Sequence, residues 1–255
     1  MTKFVERNEM LRNRSRVLAS LVGIASLGSA LTSCPWSPNS YFPIIATEGR
    51  EGVIVGGRVY FVQSEEQFDV LRARIAKVCD VSSVLPAWPF RNHGYAYTYD
   101  FLAVLSRGFG SVLQYIATEC GDGGIEVMGW GRGEALEYFG VYPAFAIDAE
   151  GIERMFELAL SADRVNPRGR YNVPEDMFEG MVVVGDSESW CLYGDRDWDI
   201  VLIWSEIPLD LEAQALKPMT FEDFLSPLRP TGGPGGDHSI WRQLYSNVRA
   251  NSWDA

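Results

Sequence analysis

The chain has 255 residues and a formal net charge of −12 at pH 7, with 47% hydrophobic and 13% aromatic residues. This apolar content supplies a substantial core, and the length does not demand a second domain. The acidic balance argues against a nucleic-acid-binding protein, because such a field repels phosphate.

The chain opens with a basic segment and then an uncharged run, within MLRNRSRVLASLVGIASLGSALTSC (residues 10–34). The uncharged run, Val17 to Leu31, is too short for a transmembrane helix, which takes roughly 20 apolar residues, but it has signal-peptide proportions. The last four residues, Leu31 to Cys34, resemble the bacterial lipobox, where small residues precede a cysteine that is lipidated and becomes N-terminal. The resemblance implies that residues 1–33 are removed and that Cys34 carries the acyl chains of a membrane anchor.

Met10 fits as the true start, because the residues before it carry mixed charge rather than the positive charge of a leader. After Cys34, the prolines of PWSPNSYFP predict an extended tether over residues 34–50, followed by one globular domain at 51–255. The alternative is a cytosolic protein in which residues 1–33 are retained and residues 10–31 form an ordinary helix.

Removal of residues 1–33 would take away five basic and two acidic side chains. The mature part would then hold 17 Lys and Arg against 32 Asp and Glu, a net charge of −15. This charge favours a basic protein partner. Beyond Cys34 the cysteines are Cys79, Cys120 and Cys191, which allow at most one internal disulfide.

The first elements of the domain are a strand and a helix. VIVGGRVYFV (53–62) predicts a strand pair or one bulged strand, and Ser64 with Gln67 predicts a capping-box start for a helix. The buried stripe of that helix is Phe68, Leu71, Ile75 and Val78.

A second helical pattern begins at Phe101, and Gly108 and Gly110 are expected to kink or split it. IEVMGW and VYPAFAID predict strands, and Asp148 is expected to cap the next helix. The apolar positions of these two helices are Leu105, Phe109, Val112, Leu113 and Ile116 in the first and Ile152, Met155, Phe156, Ala159 and Leu160 in the second.

NPRGRYNVPED predicts a loop, and GMVVVG, WCLY and DIVLIW after it predict three strands in an antiparallel meander. Thr220 and Asp223 predict the capped start of a short helix, and Ile240, Leu244 and Val248 predict a last helix from Ser239 to Val248. Together these elements indicate an α+β fold, a mainly antiparallel sheet with flanking amphipathic helices.

Three aspartates two residues apart, Asp195, Asp197 and Asp199, raise the question of a site. A calcium loop would take Glu206 as its last ligand, but Ile200 stands where such a loop needs glycine. The strand that Ile200 begins would carry Glu206 more than ~20 Å away. A carboxylate pair of Asp197 and Asp199 on one strand face is the second alternative. A hairpin turn near Gly194 to Asp197 is favoured over both.

The chain has two histidines, His93 and His238, and so small a number disfavours a catalytic triad or a histidine-rich zinc site. His238 with Asp237 could act as base and orienting group, with Cys191 or a serine as nucleophile, but Asp237 is better explained as a helix cap. GWGRG and TGGPGG lack the lysine and spacing of phosphate loops. The sequence therefore does not favour an enzyme, and it predicts no cofactor and no metal.

Aromatic residues are concentrated near the aspartates, and aromatic groups beside carboxylates suit recognition of a basic protein. The alternative is that these rings belong to the core. Six residues are predicted to bind a partner: Trp190, Tyr193, Asp195, Arg196, Asp197 and Trp198. Trp130, Tyr138 and Trp204 are further aromatic candidates for that surface.

SWCLYGDRDWDIVLI (189–203) resembles a segment of small bacterial toxin-immunity proteins and implies no catalytic residue. We therefore expect a lipid-anchored protein of the bacterial envelope that binds a protein partner, with immunity to a toxin as the most specific version. The alternatives are a cytosolic interaction protein of the immunity type, and a hydrolase that uses Asp197, Asp199 and His238. The sequence predicts neither the partner nor the oligomeric state.

Overall fold

The computed structural model describes residues 59–62, 64–83, 85–104, 106, 108–129, 142–161, 163–166, 169–172, 179–214, 216–220, 223 and 238–253. The leader, Cys34 and the tether lie outside these residues. The positions Trp130, Tyr138, Leu105 and Asp237, the segment TGGPGG and all of GWGRG except Gly129 also lie outside them. Within the described part of the chain, no helix has the length and apolarity needed to cross a membrane.

Seven strands form one sheet in which all neighbouring strands are antiparallel. Their order across the sheet is β1-β4-β3-β7-β8-β9-β2. A separate hairpin pairs β5 with β6. The bounds are β1 Val59–Phe61, β2 Tyr95–Asp100, β3 Gly124–Gly129, β4 Ala144–Asp148, β5 Asp163–Asn166, β6 Gly169–Asn172, β7 Gly180–Gly185, β8 Trp190–Asp195 and β9 Ile200–Ser205.

Helices accompany the sheet, so the predicted α+β class is confirmed. A short 3-10 helix, Leu211–Ala213, follows β9. The α-helices of the described residues are α1 Glu65–Val78, α2 Phe101–Val104, α3 Phe109–Glu119, α4 Ile152–Ser161 and α5 His238–Asn251.

The sheet is covered on both faces. On one face, rings from β4, α4, α3 and β2 contact one another in a continuous row formed by Phe145, Phe156, Phe109 and Tyr99. On the other face, α1 reaches β3 through Arg74 and Glu126, while Phe90 stacks on Trp204 of β9. Cover on both sides explains why β3, β7 and β9 are buried along their whole length.

Several local predictions are confirmed. Ser64 Oγ accepts a hydrogen bond from the Gln67 amide at 3.2 Å and caps α1, whose predicted apolar stripe is buried. The second helical pattern is split into α2 and α3 at Gly108, which has a φ of 102°. β7, β8 and β9 form the predicted meander, and Thr220 and Asp223 exchange the hydrogen bonds of a capping box.

Other local predictions were wrong. Asp148 does not cap α4: it ends β4, its carboxylate accepts from the Tyr60 hydroxyl at 3.0 Å, and α4 begins only at Ile152. The predicted loop NPRGRYNVPED contains β6 and the last residue of β5. The strand β2 was not predicted at all, because its alternation of tyrosine with small residues was not recognised as a strand pattern.

Candidate functional site

At one end of the sheet, acidic residues lie in or directly beside the ends of four adjacent strands. Strand pairing places Gly180, the first residue of β7, opposite Asp195, the last residue of β8. On its other side, Asp195 pairs with Ile200, the first residue of β9. Ile200 pairs with Asp100, the end of β2. We call this the acidic end; its charged residues are Glu179, Asp195, Arg196, Asp197, Asp199 and Asp100.

The turn at the acidic end is held by one of its own carboxylates. Asp195 Oδ1 accepts the amide of Asp197 at 3.0 Å and that of Trp198 at 3.1 Å. The Asp199 amide donates to the Arg196 carbonyl at 3.1 Å, and Asp199 has a φ of 53°, a conformation that aspartate tolerates better than most residues. The turn is therefore Arg196 to Asp199, two residues later than predicted.

The observed turn contradicts the alternative of a carboxylate pair on one strand face. It also shows where Glu206, the last ligand of the calcium-loop template, lies relative to the aspartates. Asp197 and Asp199 lie in the turn, so they are not neighbours on one face of a strand. Glu206 follows the far end of β9, where its amide donates to the Ser189 carbonyl at 2.8 Å. The whole length of β9 therefore separates Glu206 from the three aspartates.

Ionisation of Asp195 at the acidic end is unfavourable in the folded protein. Burial raises the pKa of Asp195, and the charge of nearby Asp197 raises it further, while hydrogen bonds from the Trp198 and Asp197 amides oppose the rise. Asp197 and Arg196 are exposed and Asp195 is half-buried. A cation placed here would offset the repulsion between these carboxylates.

The structure places the aromatic members of the predicted binding set inside the protein. Trp190 and Tyr193 are 0% and 1% exposed, and Trp198 packs edge-on against Trp241 of α5 at 5.3 Å between ring centroids. Trp204 is fully buried as well. These rings therefore present almost no area to a partner, and the binding prediction for this turn is carried by Asp195, Arg196 and Asp197.

Asp122, which sequence reasoning missed, explains how Trp190 is buried with its polar group satisfied. Asp122 Oδ2 accepts from Trp190 Nε1 at 2.6 Å, and Oδ1 accepts the Ser187 amide at 2.6 Å. Gly185 faces this pair so closely that an added Cβ would meet both the carboxylate and the indole. The sequence feature that could have indicated this role is the position of Asp122 just before the apolar strand IEVMG, where a carboxylate is close to buried groups.

A second missed cluster surrounds Arg74 on α1. Its guanidinium lies 2.7 Å from Glu126 Oε1 and 3.6 Å from carboxylate oxygens of Asp186 and of Glu188. Burial raises the pKa of Asp186 and the charge of Arg74 lowers it. Glu126 interrupts an otherwise apolar strand, which marks it as a buried charge that needs a partner.

Two findings bear on catalysis and metal binding. His93 is exposed, and α5 begins at His238, whose side chain lies outside the described part. In that part of the chain, no group of three or more His, Cys, Asp or Glu side chains is arranged to hold a metal ion.

No protein-family model, curated protein or solved structure matches this chain.

Proposed function

We propose that this protein is anchored by lipid on Cys34 to a membrane of the bacterial envelope and binds a basic protein partner through the acidic end. The observation that carries the proposal is the leader, in which a basic segment and a short uncharged run end at Leu31-Thr32-Ser33-Cys34. A leader of this kind directs export, and the acyl chains added at the cysteine provide lasting attachment.

The acidic end supports the chemistry proposed for the partner. Acidic residues lie in or directly beside the ends of four neighbouring strands there, and burial and the like charge of Asp197 raise the pKa of Asp195. Lys or Arg side chains of a partner would relieve this repulsion, and the net charge of the whole chain would speed their encounter. In the most specific form of the proposal, the partner is a toxin and this protein confers immunity to it.

The location is tested with globomycin, which blocks the peptidase that cleaves lipoprotein precursors. The full chain with a C-terminal tag is expressed in a bacterium, and the mass of the product is measured with and without the drug. We expect cleavage before Cys34 and acylation without the drug, and accumulation of the precursor with it. Cys34→Ser is the matched control and should also remain uncleaved. An intact, unmodified chain under both conditions refutes the anchor.

The binding surface is tested by affinity capture from the envelope fraction of the producing bacterium. We expect wild type to retain a basic protein that is lost with Asp195→Asn/Asp197→Asn and at high ionic strength. Glu206→Gln removes an exposed carboxylate beyond the opposite end of β9 and is the control that should keep the partner. Recovery of no basic protein, or capture unchanged by the double substitution, contradicts the proposal.

A further inference from the structure

Two cysteines that are far apart in the sequence meet beneath one face of the sheet. Cys79 directly follows α1, Cys191 lies in β8, and both are fully buried. Cys191 Sγ donates to the Leu192 carbonyl at 3.7 Å, and burial and then the neighbouring Cys79 side chain raise the pKa of the Cys191 thiol. Neither cysteine is in a disulfide in this structure. Sequence reasoning could not choose among Cys79, Cys120 and Cys191 for one internal disulfide, and the contact between Cys79 and Cys191 distinguishes them.

The contact is supported by neighbouring pairs that do not involve sulfur. A β-bridge joins Cys79 to Phe90, Phe90 stacks on Trp204 at 6.2 Å between ring centroids, and Trp204 is the cross-strand partner of Cys191. Cross-strand partners share a sheet face. The Tyr193 hydroxyl, two residues along that face, donates to the Ser83 carbonyl at 2.9 Å. The segment after α1 is therefore fixed against β8 and β9 along several residues.

Cys120 lies elsewhere. It directly follows α3, and its thiol lies beside the side chains of Ser189 and Ser205. Ser205 follows Trp204 directly in β9, so its side chain points to the opposite face of the sheet. The sheet thus separates Cys120 from the other two cysteines.

We propose that Cys79 and Cys191 form an intramolecular disulfide when the chain folds in the presence of a disulfide oxidant. The thiolate of one cysteine attacks a sulfur of the oxidant, and the oxidant's S–S bond breaks to release its first thiol. The other cysteine's thiolate then attacks the protein sulfur of the mixed disulfide and releases the second thiol. The two protein thiols lose two protons and two electrons, which the oxidant gains.

The burial of both sulfurs sets when this bond forms. Burial raises the pKa of the Cys191 thiol, so little thiolate is present in the folded protein and small oxidants have poor access. The bond therefore forms during folding, before the segment after α1 closes over β8. Once formed, the same burial protects it from reductants. The inference concerns how the chain folds in the presence of a disulfide oxidant and does not depend on the anchor or the partner, so its failure leaves both of those proposals untouched.

The test uses the full chain with Cys34→Ser, which leaves Cys79, Cys120 and Cys191. It is unfolded in urea and refolded with reduced and oxidised glutathione, then quenched with acid and labelled with a maleimide under denaturing conditions. We expect one maleimide per chain instead of three, and a peptide pair joining Cys79 to Cys191 after digestion without reduction. Three labels per chain, or a cross-link that includes Cys120, overturns the inference.

Single substitutions provide the matched controls. Cys120→Ser should retain the cross-link, whereas Cys79→Ala and Cys191→Ala should each lose it. The urea midpoint of the oxidised Cys34→Ser protein should exceed that of its reduced form, because the cross-link restricts the unfolded chain. Equal midpoints for the two forms count against the bond. The peptide map of the Cys34→Ser protein decides the matter even if an alanine variant fails to fold.

Discussion

Trp190 Nε1 donates to Asp122 Oδ2 at 2.6 Å in the interior of the protein, while the other oxygen of the same carboxylate accepts the Ser187 amide. Asp122→Ala would leave two donors without an acceptor, so we expect a loss of about 2–4 kcal/mol in the free energy of unfolding. Urea denaturation followed by tryptophan fluorescence measures it. Asp197→Ala, at an exposed turn position, should change stability by no more than about 0.5 kcal/mol. Similar losses for both variants contradict this role of Asp122.

Arg74 neutralises a carboxylate that the sheet buries, since the Glu126 side chain is only 4% exposed. Arg74→Met should cost about 3–5 kcal/mol, because it leaves an uncompensated charge in the interior. Lys77→Met, which breaks an exposed pair with Glu188, should cost about 1 kcal/mol or less. Adding Glu126→Gln to Arg74→Met should recover part of the loss in urea denaturation. A double variant as unstable as Arg74→Met excludes the charge as the cause.

Asp195 gives the acidic end a pH dependence of known sign. Its pKa is raised in the folded protein, so the folded state holds the proton more tightly than the unfolded state. Its ionisation therefore destabilises the fold as pH rises through the raised pKa, and protonation at lower pH removes that cost. Asp195→Asn keeps an acceptor for the two turn amides but cannot ionise.

We therefore expect Asp195→Asn to gain stability relative to wild type as pH rises from below the ordinary pKa of aspartate, about 3.9, to neutral. Asp197→Asn should produce a smaller change in the same direction, because it removes one of the charges that raise the pKa of Asp195. The measurement is urea denaturation at a series of pH values. A stability difference between Asp195→Asn and wild type that stays constant, or falls with pH, contradicts the assignment.

Gly110 allows α3 and α4 to approach closely. A Cβ at this position would overlap the backbone carbonyl of Glu153, which cannot move without shifting α4. Gly110→Ala should destabilise the protein by about 1–3 kcal/mol, even though alanine favours a helix by roughly 1 kcal/mol. Ser111→Ala removes only an exposed hydrogen bond to Glu153 and should cost about 1 kcal/mol or less. Thermal unfolding of both variants is the measurement. A larger loss for Gly110→Ala than for Ser111→Ala shows that the close approach of the helices, and not the hydrogen bond, is the main contribution.

Local patterns predicted much of the fold. The helix with Phe68 and Leu71 on one side and the three strands after Gly180 follow from apolar spacing and short connections, which act over a few residues. The order of strands does not follow in this way. β2 lies beside β9, far along the chain, and such pairing depends on tertiary packing that no local pattern encodes.

The candidate site was predicted only in part. The charged residues of the turn could be identified because acidic and glycine residues favour turns. The burial of Trp190 and Trp198 could not, since it depends on Asp122 and on Trp241, which are distant in sequence. Aromatic residues beside carboxylates suggested a recognition surface, whereas here one of those carboxylates helps to hold the turn that contains Trp198.

The outer edge of β2 is occupied by other parts of the chain. The Thr98 carbonyl accepts the Met219 amide at 2.6 Å, and the Gly94 carbonyl, just before the strand, accepts the Trp253 amide at 3.0 Å. The Thr98 hydroxyl also donates to the Met219 carbonyl. At Gly94 and Thr98, an extended peptide from another protein would therefore meet backbone groups that are already paired, which disfavours strand addition at these two positions.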